Sequence, residues 1–575
     1  MSQEFRIKEK GYINRNKLIN FKFNGKNYTG YEGDTLASAL LANGIHLVGR
    51  SFKYHRPRGF FGAGVDEPYA IVQMNRNGEV DPNVRATEQE LFEGLEAKSV
   101  NCWPNVDFDI GAINNFLNKF IPAGFYYKTF MWPKSFWYKI YEPIIRKAAG
   151  FGAASIKHDK ERYEHKYEYC DILITGSGPS GLGSAYAAAK NGAKVILAED
   201  KPRFGGSLLT SEVTIGNQSG QEWASKIISE LKSMPNVTVK NRSQVFGYYD
   251  HNMIVMSERI SDHLPKTEKY SPKQRLWYIR AKEVIISSGS IERPLVFGNN
   301  DTPGIMLSSA AKEYLKIYGV LVGKKPLVFT NNDSGYETAI EFKKNGIDPI
   351  VLDTRKKPNS EIIKEAKDLG INIKFSYVVV VAKGYKKVRS ADIAKISDDK
   401  KDLSNIENIQ CDCICVSGFW TPTIHLASQS GNKTKFNEEI DAFVPSQSKQ
   451  NETTLGSANG VFTLDQTLKT SFEKGNDLSK KITNKENKIL VPAVVEKKSS
   501  SHDKFWCVPL PKDKDYKRFL DFQNDVAVSD VQLALREGYR SIEHVKRYTT
   551  LGMATDQGKT SNLNGLQLVS DVENK

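Results

Sequence analysis

Six consecutive residues, Gly176-Ser177-Gly178-Pro179-Ser180-Gly181, have the types and spacing to cradle a pyrophosphate. Gly176 permits a tight turn, Gly178 lets backbone N–H groups approach phosphate oxygens, and Gly181 lets a helix lie close against a strand. The phosphates of such a ligand sit at the positive end of that helix. Glu199 follows about 20 residues after the glycines, where a carboxylate can accept hydrogen bonds from an adenosine ribose. No Arg adjoins it to favour a 2′-phosphate, so NAD or FAD is expected over NADP.

The elements that must position these residues are legible around them. An apolar run over 172–175 leads into the glycines, and Ala185, Ala189 and Gly192 mark a small-residue helix. A second apolar run ends at Glu199, which completes a βαβ unit in register. Another apolar strand, 283–287, ends in Ser288-Gly289-Ser290. A second strand–loop–helix unit spans 327–353, but Thr330 and Asn332 stand where its first two glycines would be, and only Gly335 survives. Side chains there obstruct a pyrophosphate, so one working dinucleotide site is expected in a two-Rossmann body. Cys411, Cys413 and Cys415 alternate along a strand and read as buried small apolar residues, because one face makes a poor tetrahedral cage.

At 575 residues the chain has room for three or four domains. With 39% hydrophobic and 26% charged residues it reads as soluble and globular. The net charge of +14 is spread along the chain as Lys without a nucleic-acid motif, so no nucleic acid is expected as a partner. The N-terminus has no apolar core of a signal peptide, and no run is long enough to span a bilayer. Six Cys in no disulfide pattern fit a cytoplasmic protein with no membrane partner.

Around this body, residues 21–72 form a small α+β unit with a helix over 36–43 that Gly44 stops. The loop 49–59, containing Arg50, His55, Arg56 and Arg58, is cationic and aromatic and could grip a phosphate or flavin, or be a solvated basic loop. Residues 87–152 are dense in Trp, Tyr and Phe, as in the run from Phe125 to Pro133, and read as a connector packed between domains or against another subunit. A polar, Lys- and Ser-rich linker follows residue 475. Ser529 with Gln532 makes a capping box for a helix over 531–537 that Gly538 stops, and a further helix is expected over 542–548.

Read together, these segments resemble the alpha subunit of heterotetrameric sarcosine oxidase along essentially the whole chain. The matching strings are residues 33–44, 51–59 and 123–133, the glycine fingerprint, Glu292-Arg293-Pro294-Leu295-Val296-Phe297, Asn331-Asn332-Asp333-Ser334, and 543–562. The resemblance implies an α/β multidomain fold. It comprises a ferredoxin-like β-grasp domain (16–105), an aromatic connector (106–166), and a pyridine nucleotide-disulfide oxidoreductase-like body (167–475) with a second Rossmann unit near 305–405. A linker (476–503) and a small helical domain (504–575) complete it. The implied activity is oxidative demethylation of sarcosine to glycine, with hydrogen peroxide and formaldehyde or methylenetetrahydrofolate. The implied partners are beta, gamma and delta subunits.

By the same resemblance NAD is expected in this chain, FMN shared with a beta subunit, and FAD within that subunit. The site would comprise Gly176, Ser177, Gly178, Pro179, Ser180, Gly181, Glu199 and Asp200, with Gly206, Ser207 and Gly289 nearby. No catalytic residue and no metal ligand are assigned. Related FAD-binding folds place a Gly-Asp pair near the body's end, whereas this chain has Thr463-Leu464-Asp465-Gln466. No iron–sulfur cluster is expected, since the region after Gly44 lacks Cys and the positions matching cluster ligands in the C-terminal domain are Asp521, Gln523, Asp556 and Ser561. Long-form relatives continue into a folate-binding domain, so tetrahydrofolate would be reached only through a domain absent from this chain. The alternatives are a stand-alone NAD(P)H-dependent flavoprotein reductase, a subunit of a related N-methyl amino acid dehydrogenase, and a structural subunit with an empty fingerprint.

Overall fold

A computed structural model describes residues 3–573 apart from 77, 126, 127, 129, 149, 150, 266–269, 486 and 488. Tyr126, Tyr127 and Thr129 of the aromatic connector thus lie outside the described residues. The chain forms two compact units. One comprises Lys160–Ile291 with Trp420–Lys498, and the other Met1–Asp159, Glu292–Phe419 and Ser499–Lys575.

The first of these units is built on a seven-stranded sheet. Its strands run in the order Val237–Lys240, Val195–Ala198, Tyr163–Thr175, Gln274–Ile286, Met253–Arg259 and Ser243–Tyr249, with Glu452–Thr454 also paired to Gln274–Ile286. The glycine-bearing half is parallel, and its strands are apolar on both faces, with Ile172, Leu173 and Ile174 all fully buried. Such runs form where both faces of a sheet are covered. The helices Pro179–Lys190 and Leu464–Thr483 pack together there, and Leu182, Ala185, Leu468, Phe472 and Trp223 share one core. A Cβ at Gly475 would stand 2.6 Å from the Ser184 carbonyl oxygen, so the close approach of the two helices depends on that glycine. The second helix continues to Thr483, beyond the expected start of the linker at 476, because Phe472, Gly475 and Ser479 extend one buried stripe.

The other unit holds three packed parts. Near its N-terminus a five-stranded sheet has the order Lys26–Glu32, Asn14–Phe23, Leu95–Ser99, Ile71–Arg76 and Glu79–Arg85. The helix Leu36–Ala42 is buried along its whole length and starts at a Thr35 capping box with Ser38. The second part is a five-stranded parallel sheet, Ile305–Leu307, Cys413–Ser417, Pro326–Thr330, Ile350–Asp353 and Asn372–Phe375. Cys411, Cys413 and Cys415 are all buried. The helices Val528–Arg536, Ile542–Thr549 and Asn562–Glu573 make the third part. The first of them is capped by Asp530, whose Oδ2 accepts the Ala527 N–H at 2.9 Å, rather than by the expected Ser529–Gln532 box.

The basic loop 49–59 is tied into this unit. Arg58 is fully buried and pairs with both Asp301 and Asp525. Arg56 forks onto Asp301, with Nε to Oδ2 at 2.6 Å and Nη2 to Oδ1 at 2.8 Å. His55 Nδ1 lies 2.7 Å from Asp109 Oδ2. The two arginines hold Asp301 down to about 2 against its burial. In a loop whose composition suits a phosphate, the guanidinium groups of Arg56 and Arg58 are engaged by the chain's own carboxylates and that of Arg50 by the Val106 carbonyl.

Candidate functional site

The strand Tyr163–Thr175 delivers the chain to Gly176, whose φ of 93° is a left-handed conformation. A Cβ there would stand 2.4 Å from the Ser287 carbonyl oxygen, so only glycine allows the strand Gln274–Ile286 and the loop after it to close against the turn. Gly178 is the N-cap of Pro179–Lys190, in extended backbone with no side-chain cap, and a Cβ there would meet nothing within 4 Å. Gly181 is the opposite case: its Cβ would stand 1.9 Å from the Gly176 carbonyl oxygen. One glycine keeps space open above an uncapped helix end, and the other two let the backbone fold tightly beneath it.

The remaining expected residues gather in the same place. Gly206 has φ 53° and a Cβ on it would sit 2.8 Å from the Gly178 Cα, filling the cradle. Ser207 is exposed beside it. Gly289, at φ 76°, again has nothing within 4 Å of its would-be Cβ. Ser180 is buried, and its Oγ lies 3.2 Å from Ser287 Oγ and 3.1 Å from Ser471 Oγ, so this first-turn side chain is turned into the protein. The Oγ1 of Thr175, at the end of the incoming strand, is buried with no hydrogen-bond partner among the described residues. The donors, the open glycines and the absence of an acidic residue in the helix's first turn fit a pyrophosphate.

Glu199 is engaged by the chain's own backbone and side chains. Its Oε2 accepts the Ser177 N–H at 2.8 Å and the Ser177 hydroxyl at 2.5 Å, and its Oε1 accepts the Lys201 N–H at 3.1 Å. It is buried, and burial followed by the neighbouring Asp200 pushes its pKa well above the usual carboxylate range. Asp200 itself is half-buried. Glu199 therefore braces the glycine turn from below, at the end of the strand Val195–Ala198.

Two participants were not evident from the sequence. Gly456, at φ 65°, brings its backbone so close that a Cβ would lie 2.9 Å from the Ser180 Cβ. Glu496 caps the helix Leu464–Thr483, its two carboxylate oxygens accepting the N–H groups of Leu464 at 2.8 Å and Asp465 at 3.0 Å. No local motif announces Glu496, because it reaches the helix from the segment expected to be a linker.

The second nucleotide loop is closed by side chains. Thr330 Oγ1 donates to the Asn332 carbonyl at 2.8 Å, and Asn332 bonds Ser417. Ser500 then lies over the loop, its N–H and hydroxyl donating to Asp333 at 2.7 and 2.8 Å, while Arg355 bridges Asp333 and Asp353. In the C-terminal part, Asp521, Gln523, Asp556 and Ser561 are all buried. Gln523 Oε1 accepts the Asp556 N–H at 3.2 Å, and Asp521 accepts the N–H groups of Gln523, Asn524 and Gly552.

Three family descriptions match the chain. Residues 16–102 match a 2Fe-2S iron-sulfur cluster binding domain, 170–451 a pyridine nucleotide-disulphide oxidoreductase, and 515–575 a sarcosine oxidase A3 domain. The chain is 42% identical over 98% of its length to sarcosine oxidase subunit alpha of Rhizobium meliloti (strain 1021), of which it covers 56%. It is 30% identical over 97% of its length to the same subunit of Corynebacterium sp. (strain U-96), covering 54%. The chain thus spans a little over half the length of these curated relatives. Among solved structures, L-proline dehydrogenase from P. horikoshii shares the fold over 100% of this chain and 95% of that one, with a TM-score of 0.66 at 19% identity.

The match at 16–102 corrects the expected cofactor set of NAD with flavins shared or nearby and no iron–sulfur component: the N-terminal part is a domain of the iron–sulfur type. The match at 170–451 supports a flavin or nicotinamide group without choosing between them. Within 16–102 the one thiol is Cys102, and among the described residues no group of three or more His, Cys, Asp or Glu could hold a metal ion. The residues of that stretch therefore do not supply a four-thiolate cage. No helix among the described residues is long and apolar enough to cross a membrane.

Proposed function

Because the chain belongs to the sarcosine oxidase alpha-subunit family over the stretch it spans, we propose that it serves as such a subunit, binding an adenine dinucleotide at Gly176–Gly181 within a multi-subunit oxidase. The proposed overall reaction converts sarcosine, water and dioxygen to glycine, formaldehyde and hydrogen peroxide, or passes the one-carbon unit to tetrahydrofolate. The proposed partners are beta, gamma and delta subunits. A dinucleotide bound here supplies a two-electron redox group when it is of the flavin or nicotinamide kind.

In this reading the N–H groups at the start of Pro179–Lys190 hold the pyrophosphate, Gly178 and Gly206 leave room for it, and Ser207 and Gly289 border it. Glu199 and Asp200 stand at the ribose end, with Glu199 fixing the turn through Ser177. No residue of this chain is assigned to act on the substrate. The domain borders proposed are 16–105, 106–166, a body from 167 with a second Rossmann unit near 305–405, a linker up to 503 that begins after the helix Leu464–Thr483 rather than at 476, and 504–575, with a β-grasp fold for the first. The single observation that carries the proposal is an open, uncapped helix end at the glycine turn of a chain so similar to named alpha subunits. A stand-alone reductase is less well supported, because the second nucleotide loop is filled by Asn332 and Ser500.

Co-expression with the other subunits tests this. The assembled complex is expected to consume oxygen when given sarcosine, and the chain alone is expected not to. Sarcosine oxidation by the isolated chain would contradict the division of labour.

A further inference from the structure

Residues 103–156 are built inside out. Among the described residues, fifteen of the thirty-three exposed large apolar side chains fall in this stretch, which is under a tenth of the chain. Phe116, Phe120, Trp132 and Tyr138 are 77–83% exposed. Several uncharged or paired polar groups between them turn inward. Asp109 is buried and takes His55, Asn114 Nδ2 donates to the Lys53 carbonyl at 3.3 Å, and Asn115 Oδ1 accepts from Arg56 at 3.2 Å. Backbone anchors add to these, with Tyr54 donating to the Ile121 carbonyl at 3.3 Å and Ala123 N–H to Asp530 at 3.0 Å. Polar side chains hold the segment down while aromatic ones face solvent, the reverse of an ordinary surface. Apolar exposure on this scale marks an interaction site.

The charge of the stretch limits the occupant. Over 103–156 the sequence has Lys119, Lys128, Lys134, Lys139, Arg146 and Lys147 against Asp107, Asp109 and Glu142, of which Asp109 is buried against His55. Lys128 pairs with Glu537 and Arg146 with Glu142, while Lys119, Lys134 and Lys139 are exposed among the aromatics. Two copies of this face would set like charges against each other, at a cost that disfavours self-association. We infer that the described residues of 103–156 form the docking face for a different polypeptide of the proposed complex, one presenting an apolar patch rimmed by Asp and Glu. The inference rests on the subunit reading above and adds the place of contact. Aromatic density is the composition of interface centres, and the lysines beside it set the sign of charge that a partner must present.

The test uses the full chain co-expressed with the beta, gamma and delta subunits. A photoreactive phenylalanine analogue is placed at Phe120, at Tyr138 and, as a control, at Tyr249, which is 56% exposed in the other compact unit. Cross-links from the first two positions to a different subunit, together with a loss of co-purified subunit of about thirtyfold or more in Phe116→Glu/Phe120→Glu, support the inference. The variant chain alone must keep the wild-type unfolding midpoint. Should the double variant unfold, the cross-link map decides instead. Assembly of a folded double variant at wild-type yield overturns the docking face and leaves the subunit reading intact. Cross-links only to a second copy of the chain, or to phosphatidylserine vesicles, overturn it as well. A wild-type chain that stays alone on co-expression overturns the subunit reading and this inference together.

Discussion

At the scale of single residues, the three fingerprint glycines do different work, and the difference is measurable. Gly181→Ala drives a methyl group into the Gly176 carbonyl at 1.9 Å and is expected to cost about 1–3 kcal/mol or more of stability. Gly178→Ala meets nothing within 4 Å at an ordinary φ of −67° and is expected to leave stability within about 0.5 kcal/mol while weakening dinucleotide binding. Thermal unfolding and a dinucleotide titration on both variants separate the roles. Glu199 adds a pH signature. Its pKa in the fold, raised from 4.5 to about 8 by burial and then Asp200, means that the folded protein keeps a proton which the unfolded chain releases. Its contribution is full below pH 4.5 and is lost as pH rises toward about 8. The stability difference between wild type and Glu199→Gln should shrink across that window, and a difference flat in pH would contradict this. The glycines were legible in the sequence because spacing alone constrains backbone geometry. The bracing of Ser177 by Glu199 was not, since a carboxylate at a strand end reads the same whether it faces ligand or protein.

At the scale of elements, the loop carrying Arg56 and Arg58 is a staple. Its strand Pro57–Arg58 reaches Asp301, beside the second parallel sheet, and Asp525, beside the C-terminal helices, within the same compact unit. Arg58→Met leaves Asp525 buried without its cation and is expected to cost about 3–5 kcal/mol, because an unpaired buried charge is the expensive case. Adding Asp525→Asn should recover part of that loss, a non-additivity that a double-mutant cycle on unfolding free energy reads directly. Composition suggested a phosphate grip for this loop, and the sequence could not decide, because the carboxylates that engage it lie about 245 and 467 residues away. The same holds for Glu496 at the start of Leu464–Thr483. Helices announced by periodicity and glycine stops were read well, as with Leu36–Ala42 and Ile542–Thr549, while their caps depended on contacts that local pattern does not encode.

At the scale of the whole molecule, a chain that resembles an oxidase subunit presents, among the described residues, an open glycine turn at Gly176–Gly181 and a second strand–loop–helix turn covered by its own Ser500. Its general kind was visible in the sequence because long strings, not single motifs, carried the likeness. The ferredoxin-like type of the N-terminal part was legible too, whereas the cofactor set was not: a count of thiols argued against an iron–sulfur component, and the match at 16–102 to a 2Fe-2S iron-sulfur cluster binding domain overturns that. Mass spectrometry of the ligand released when the purified full chain is denatured tests most directly whether Gly176–Gly181 hold an adenine dinucleotide. A stoichiometric adenine dinucleotide is expected from the wild type, and its loss from Gly206→Val, whose side chain fills the space beside Gly178. A wild-type chain that releases no nucleotide, and binds neither FAD nor NAD when they are added, would contradict it.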